Sequence, residues 1–171
     1  MLLGLLSIAS SLGVVLVCYL TWMRRVQRDA GENLPRSAEV VAAPVMNELE
    51  LRIGSKLPRP LRHAYLDGSI VRMKMPVRFR WDEEEWILSR FIAVDPTANE
   101  KLARWLGLPA NVFVFASDDW GNYFFIKDGD EPVFYWDHEG GDVSVAFSSF
   151  EGFWTAVNSG GYALRIGPSV S

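Results

Sequence analysis

VFVFASDDWGNYFFIK, residues 112–127, is the stretch on which the fold turns. Two runs of β-branched and aromatic residues, Val112 to Ser117 and Asn122 to Lys127, suit a pleated surface and flank Asp118-Asp119-Trp120-Gly121. The residues between are turn formers: aspartates bond nearby backbone amides, and glycine takes a positive φ without steric cost. A third run, Val133 to Asp137, follows a second turn segment, Asp128-Gly129-Asp130-Glu131. The centre therefore reads as an antiparallel meander, to which Val143 to Phe147 adds a short strand.

Helices bracket this meander. Downstream, Ser148 with Glu151 makes a capping box, and Phe150, Phe153, Trp154 and Val157 form a buried stripe. Upstream, Thr97 with Glu100 makes another over Thr97 to Gly107; Leu102, Trp105 and Leu106 share a face, and Gly107 then Pro109 stop the helix. Val77 to Trp81 and Ile87 to Val94 read as strands joined by a charged turn, Asp82 to Glu85. Pro44, Val45, Met46, Leu49 and Ile53, closed by Gly54, describe a short helix, and Pro60, Leu61, Ala64, Tyr65 and Gly68 a second. Without regular β-α alternation, this predicts an α+β domain, an antiparallel-rich sheet with flanking helices. Periodicity assigns Trp81, Trp105, Trp136 and Trp154 to core or near-core positions and leaves Trp86 half exposed.

Ahead of the domain, Leu2 to Met23 carries no charge. About 22 residues at ~1.5 Å rise span roughly 33 Å, enough to cross a hydrocarbon layer of ~30 Å. Tyr19 and Trp22 sit at its far end and Arg24, Arg25 and Arg28 follow, which turns that end to the cytoplasm. A cleaved secretory signal needs its positive charge on the other side. The expected organisation is a transmembrane anchor over 1–23, a linker over 24–43, one domain over 44–160 and a tail over 161–171, at the inner membrane with the domain in the cytoplasm. The 49% of hydrophobic residues suffice for a dense core, and the single cysteine, Cys18, excludes an internal disulfide framework.

Charge is uneven along the chain. Arg52 to Arg80 holds eight basic residues against Asp67, whereas Ser117 to Glu151 holds nine acids against Lys127. An acidic half repels phosphate and attracts basic partners, which argues against direct nucleic-acid binding. A basic half near a bilayer favours anionic headgroups, and a solvated surface is the other reading of both runs.

Asp137-His138-Glu139 is the one cluster with catalytic or metal-binding potential. Adjacent side chains of a strand point to opposite faces, and with His63 distant and no cysteine in the domain a zinc site lacks ligands, so a structural or binding role is expected. Gly121 and one aspartate of the Asp118–Gly121 turn are accounted for by turn chemistry. Trp120 either packs back on the sheet, the expected state for so large a ring, or anchors a partner. Phosphate loops, nucleophile elbows and paired cysteines do not occur in the sequence, and no cofactor is expected.

ELRIGSKLPRPLRHAYLDG (50–68), FVFASDDWGNYFFIK (113–127), VFYWDHE (133–139) and SSFEGFWTAV (148–157) together resemble the SUKH superfamily, which includes bacterial immunity proteins and a fungal cell-wall assembly regulator. The chain departs from its usual Asn-Gly-Gly after the second helix, having Asp67-Gly68-Ser69. The resemblance implies a non-enzymatic α+β domain that binds proteins, in bacteria commonly a toxin from a competing cell. Joined to the acidic stretch, it makes a basic toxin domain the expected partner and Asp118, Asp119, Trp120, Glu131, Asp137 and Glu139 the candidate binding residues. The alternative is a membrane-tethered regulatory or scaffolding module with a resident partner, for instance in envelope assembly.

Overall fold

The computed structural model describes residues 37–81, 84–127 and 132–159. The anchor expected over 2–23, most of the linker and the tail lie outside these residues. Among the described residues no helix is long and apolar enough to cross a membrane.

Elements run α1 (Ala43–Ile53), α2 (Arg59–Leu66), α3 (Ser69–Arg72), β1 (Val77–Trp81), β2 (Glu84–Leu88), β3 (Arg90–Phe91), α4 (Pro96–Trp105), β4 (Val112–Ser117), β5 (Tyr123–Lys127), β6 (Val133–Trp136), β7 (Val143–Phe147) and α5 (Phe150–Asn158). A five-stranded sheet has the order β3-β4-β5-β6-β7, antiparallel throughout, and β1–β2 forms a separate hairpin. The domain is thus α+β, with the expected meander at its centre.

Strand alternation divides the sheet into two faces. Phe113, Phe124, Ile126, Val133 and Tyr135 point into the larger core with residues of α1, α2, α5 and the β1–β2 hairpin. The β4–β5 register slips between Val114 and Ala116, and this bulge lets Phe115 and Ala116 both join that core. Phe153 of α5 lies at its centre, with ring centroids 5.2 Å from Phe115, 5.3 Å from Phe147 and 5.7 Å from Phe124. Truncating a ring packed on several others costs about 3–5 kcal/mol, so this contact fixes how α5 sits on the sheet.

The opposite face is covered by α4, whose Leu102 and Ala103 pack with Leu106 on Ile92, Val112, Val114, Tyr123 and Phe125. Buried Asn99 donates from Nδ2 to the Val112 carbonyl at 2.8 Å and accepts the Val114 N–H at 3.0 Å. It thereby satisfies β4 backbone groups that the two-residue β3 is too short to reach. Tyr65 acts similarly from α2, donating to the Ile92 carbonyl, and burial pushes its phenol well above the ordinary range.

Several local expectations are corrected. Ile87 to Val94 is not one strand: at Ser89, whose N–H bonds the Ser117 carbonyl, the chain leaves β1 and turns to β4. Glu84 and Glu85 belong to β2 rather than to the turn, and Glu85 pairs with Arg78 across the hairpin. The α4 cap is Asp95, whose Oδ1 accepts from both Thr97 N and Ala98 N, rather than Thr97. Ser149, not Ser148, caps α5 by accepting from Gly152 N. Gly68 does take a left-handed φ of 72°, but it opens the unforeseen α3, and a Cβ there would meet Val40 at 2.7 Å.

Ser37 to Val41, which the sequence places in the linker, lies against the domain. Ser37 bridges Ile92, Ala38 N donates to the Phe91 carbonyl, and Val41 is buried. Trp86, Trp136 and Trp154 are partly buried, whereas Trp105, expected in the core, is 47% exposed. Leu102 and Leu106 fill the space under α4 and leave Trp105 at its rim, 6.3 Å from the Trp136 ring. The Trp81 side chain lies outside the description.

Candidate functional site

The β4–β5 turn and the β6–β7 turn emerge side by side, because Tyr123 at the start of β5 pairs with Trp136 at the end of β6. A buried carboxylate locks them together. Asp118 is only 6% exposed, and its Oδ1 accepts the N–H groups of Trp120 and Asn122, each at 2.9 Å. Its Oδ2 accepts Asn122 Nδ2 at 2.7 Å and the Tyr135 hydroxyl at 3.0 Å. Every donor is neutral, so the negative charge is held by dipoles alone, and Gly121 closes the turn at φ 91°. Burial first, and the Asp118 charge second, push the Tyr135 phenol far up, so Tyr135 stays a donor.

Asn122 extends the network to the second turn. Its Oδ1 accepts the His138 N–H at 2.8 Å and lies 2.7 Å from His138 Nδ1, an arrangement that puts a proton on Nδ1. The strand has ended by this point, so His138 is free of the alternation that would separate it from its neighbours. Asp137 forms the turn itself: its N–H donates to the Asp142 carbonyl, its carbonyl accepts Gly141 N, and its Oδ1 accepts Glu139 N at 3.0 Å. His138 Nδ1 is 3.8 Å from Asp137 Oδ1. Among the described residues no three His, Cys, Asp or Glu side chains gather as a metal would require.

The predicted binding residues therefore take different places. Asp118 is an internal clamp with both oxygens occupied. Asp119 and Glu139 are exposed and Asp137 is half exposed, all on the two adjoining turns. Asp119 also accepts the Ser89 hydroxyl, which ties the β2–β3 junction to the same end of the sheet. Trp120 is 57% exposed, against the expectation that it packs on the sheet. With Asp118 completing the turn through backbone amides, the Trp120 ring falls outside both core clusters. Glu131 lies outside the described residues. Exposed Asp142, one of the nine acids of the Ser117 to Glu151 stretch, joins the candidate residues on these turns; Gly140-Gly141-Asp142 carries the turn signature that marks it.

The basic stretch is organised differently. Glu50, 3% exposed in α1, accepts Lys56 Nζ at 2.7 Å, Arg62 Nε at 3.2 Å and Leu57 N at 3.2 Å. Burial pulls its carboxyl upward, but these hydrogen bonds and the two cations outweigh that and leave it below the usual range. Arg52 pairs with Glu48 and Glu100, and Arg72 donates to the Asp67 carbonyl. Arg52, Lys56 and Arg62 thus meet acids within the helical layer, while the acids of the two turns face outward.

The family model described as SUKH_6, SMI1-KNR4 cell-wall, matches residues 46–153. No curated protein and no solved structure matches the chain.

Proposed function

The chain belongs to the SUKH, or SMI1-KNR4 cell-wall, family, and from that premise we propose that it is an immunity-type binding protein which neutralises a toxin by direct association rather than by catalysis. One observation carries the reading: two adjoining turns locked by Asp118 and Asn122 present Asp119, Asp137, Glu139 and Asp142, and one of the turns carries an exposed Trp120. A large amphipathic ring on an acidic pair of turns suits a partner that is basic where it touches nucleic-acid phosphate, since charge speeds the encounter and the ring supplies buried contact area. The partner class is therefore a basic toxin domain. The test is co-expression with a candidate toxin from a neighbouring gene: survival is expected, and unchanged killing would count against the proposal.

Membrane attachment belongs to the same reading. Uncharged Leu2–Met23 followed by Arg24, Arg25 and Arg28 supports a single anchor at the inner membrane with the domain in the cytoplasm, where a tether raises local concentration near an incoming toxin. Protease added to intact spheroplasts should leave the domain whole; its digestion would reverse the topology. A resident envelope partner is the second reading, favoured by the cell-wall description of the family, and it predicts an endogenous protein that copurifies from cells lacking any toxin.

A further inference from the structure

The two edges of the five-stranded sheet are unlike each other. At β3, Ser37 bridges Ile92 and Ala38 donates to the Phe91 carbonyl, so the chain covers its own edge. At β7, the other edge, no strand pairs with the outer side among the described residues. Unprotected edges in soluble proteins are normally blunted by lysine, proline or inward charges. Here the strand reads Val-Ser-Val-Ala-Phe, with Val143 49% and Val145 56% exposed.

The surface continues inward from that edge. Val143 pairs with Trp136 and Val145 with Phe134, so all four side chains share the sheet face that α4 covers only in part. Trp105 borders it from α4, 6.3 Å from Trp136. Asp137, Glu139 and Asp142 lie in the turn that opens β7, which makes the patch apolar along its length and acidic at one end.

We propose that the outer edge of β7 takes an extended segment of the partner protein as an added strand, with apolar side chains beside Val143 and Val145 and lysine or arginine at the Asp137–Asp142 turn. The proposal deepens the toxin-binding reading and rests on it. Main-chain hydrogen bonds supply affinity in such complexes, alternate side chains supply specificity, and the acidic turn fixes which end of the segment is basic. The charge asymmetry favours a basic segment over a second copy of this acidic end.

The probe is a fluorescein-labelled heptapeptide, two lysines followed by alternating valine and threonine, titrated into the full chain in detergent by fluorescence polarisation and followed by amide hydrogen exchange. Saturable binding is expected, with exchange in β7 slowed at least tenfold, and little binding of the same peptide N-methylated on alternate residues. Val145→Lys should weaken binding at least tenfold while leaving the thermal midpoint close to wild type; Val145→Thr, which keeps the branched shape, should weaken it much less. Unchanged β7 exchange at saturating peptide overturns the proposal. So does prior protection of β7 in the free monomer, which would mean that the chain's own undescribed segments cover the edge, or a dimer in sedimentation that Val145→Lys dissolves. With the neighbouring toxin in place of the peptide, loss of binding on Asp119→Lys with Glu139→Lys but not on Val145→Lys would leave the acidic-turn reading intact and remove strand addition alone.

Discussion

Glu50 and Asp118 are both carboxylates buried beneath the surface, yet they are satisfied in opposite ways. Glu50, in the helical layer, is met by Lys56 and Arg62 as well as by a backbone amide. Asp118, in the loop layer, is met by two backbone amides, an asparagine and a tyrosine, and among the described residues none of the ion pairs involves it. A charge held by dipoles keeps its field, whereas a charge held by cations cancels theirs. That contrast takes Lys56 and Arg62 out of the basic run, while the acids on the two turns beside Asp118 keep their charge. Burying a carboxylate among cations spends them on the fold; burying one among neutral donors shapes loops and leaves the surrounding acids available.

The largest expected effect breaks the loop side. Asp118→Ala strips four donors of their acceptor, and at about 1–3 kcal/mol for each group left buried and unpaired, partly relieved by water, a loss of about 3 kcal/mol is expected in denaturant unfolding. Hydrogen exchange should quicken in both turns, including at His138, because Asn122 is released with them. A loss under about 1 kcal/mol would show that the clamp is dispensable.

Next comes the helical side. Glu50→Gln should cost about 1–2 kcal/mol, less than Asp118→Ala, because Lys56 is well exposed and Arg62 partly so, and both can turn to water. Its pH dependence has a definite sign. The folded carboxyl titrates below its unfolded value of about 4.3, so its stabilisation is complete above that pH and is lost as the pH falls through the folded value. The gap between wild type and Glu50→Gln in denaturation midpoint should therefore be constant near neutrality and shrink below about pH 4. A gap that widened on acidification would reverse the sign assigned to Glu50.

The smallest effect on stability is predicted at a residue whose loss should nonetheless weaken binding. Trp120→Ala removes an exposed ring from a turn that Asp118 holds through its backbone, so the unfolding midpoint should move by less than about 0.5 kcal/mol. Association with the toxin, measured by calorimetry, should fall by a hot-spot amount of about 2 kcal/mol or more. Equal and small changes in both would return Trp120 to the ordinary surface.

How much of this is legible in the sequence depends on the range of the forces involved. The meander, the Asp118–Gly121 turn and the helix around Leu102 follow from local chemistry: alternation, Asx bonding and glycine stops act within a few residues. Local rules also misplace things by small steps. Ser148 with Glu151 fits the cap rule, yet its neighbour Ser149 accepts from Gly152 N; Asp95 displaces Thr97 because its side chain reaches two amides from outside the helix. The break falls on the polar Ser89-Arg90 step of an otherwise apolar run, but a polar pair alone does not end a strand; here it does because β1 and β4 are different partners. For the site, the acids of the two turns are readable, but their roles are not. Asp118 and Asp119 are neighbours, and it takes Tyr135 and Asn122, distant in sequence or unremarkable by type, to make one a clamp and leave the other at the surface.

On the proposed reading the partner meets the acidic turns and not the helical layer. That reading is tested most directly by calorimetric titration of the neighbouring toxin into two charge-reversed proteins, Asp119→Lys with Glu139→Lys and Arg59→Glu with Arg72→Glu, at low and at high salt. The first pair should weaken binding at least a hundredfold at low salt and flatten its salt dependence, and the second should leave both close to wild type. Binding lost in the second pair and kept in the first would contradict it.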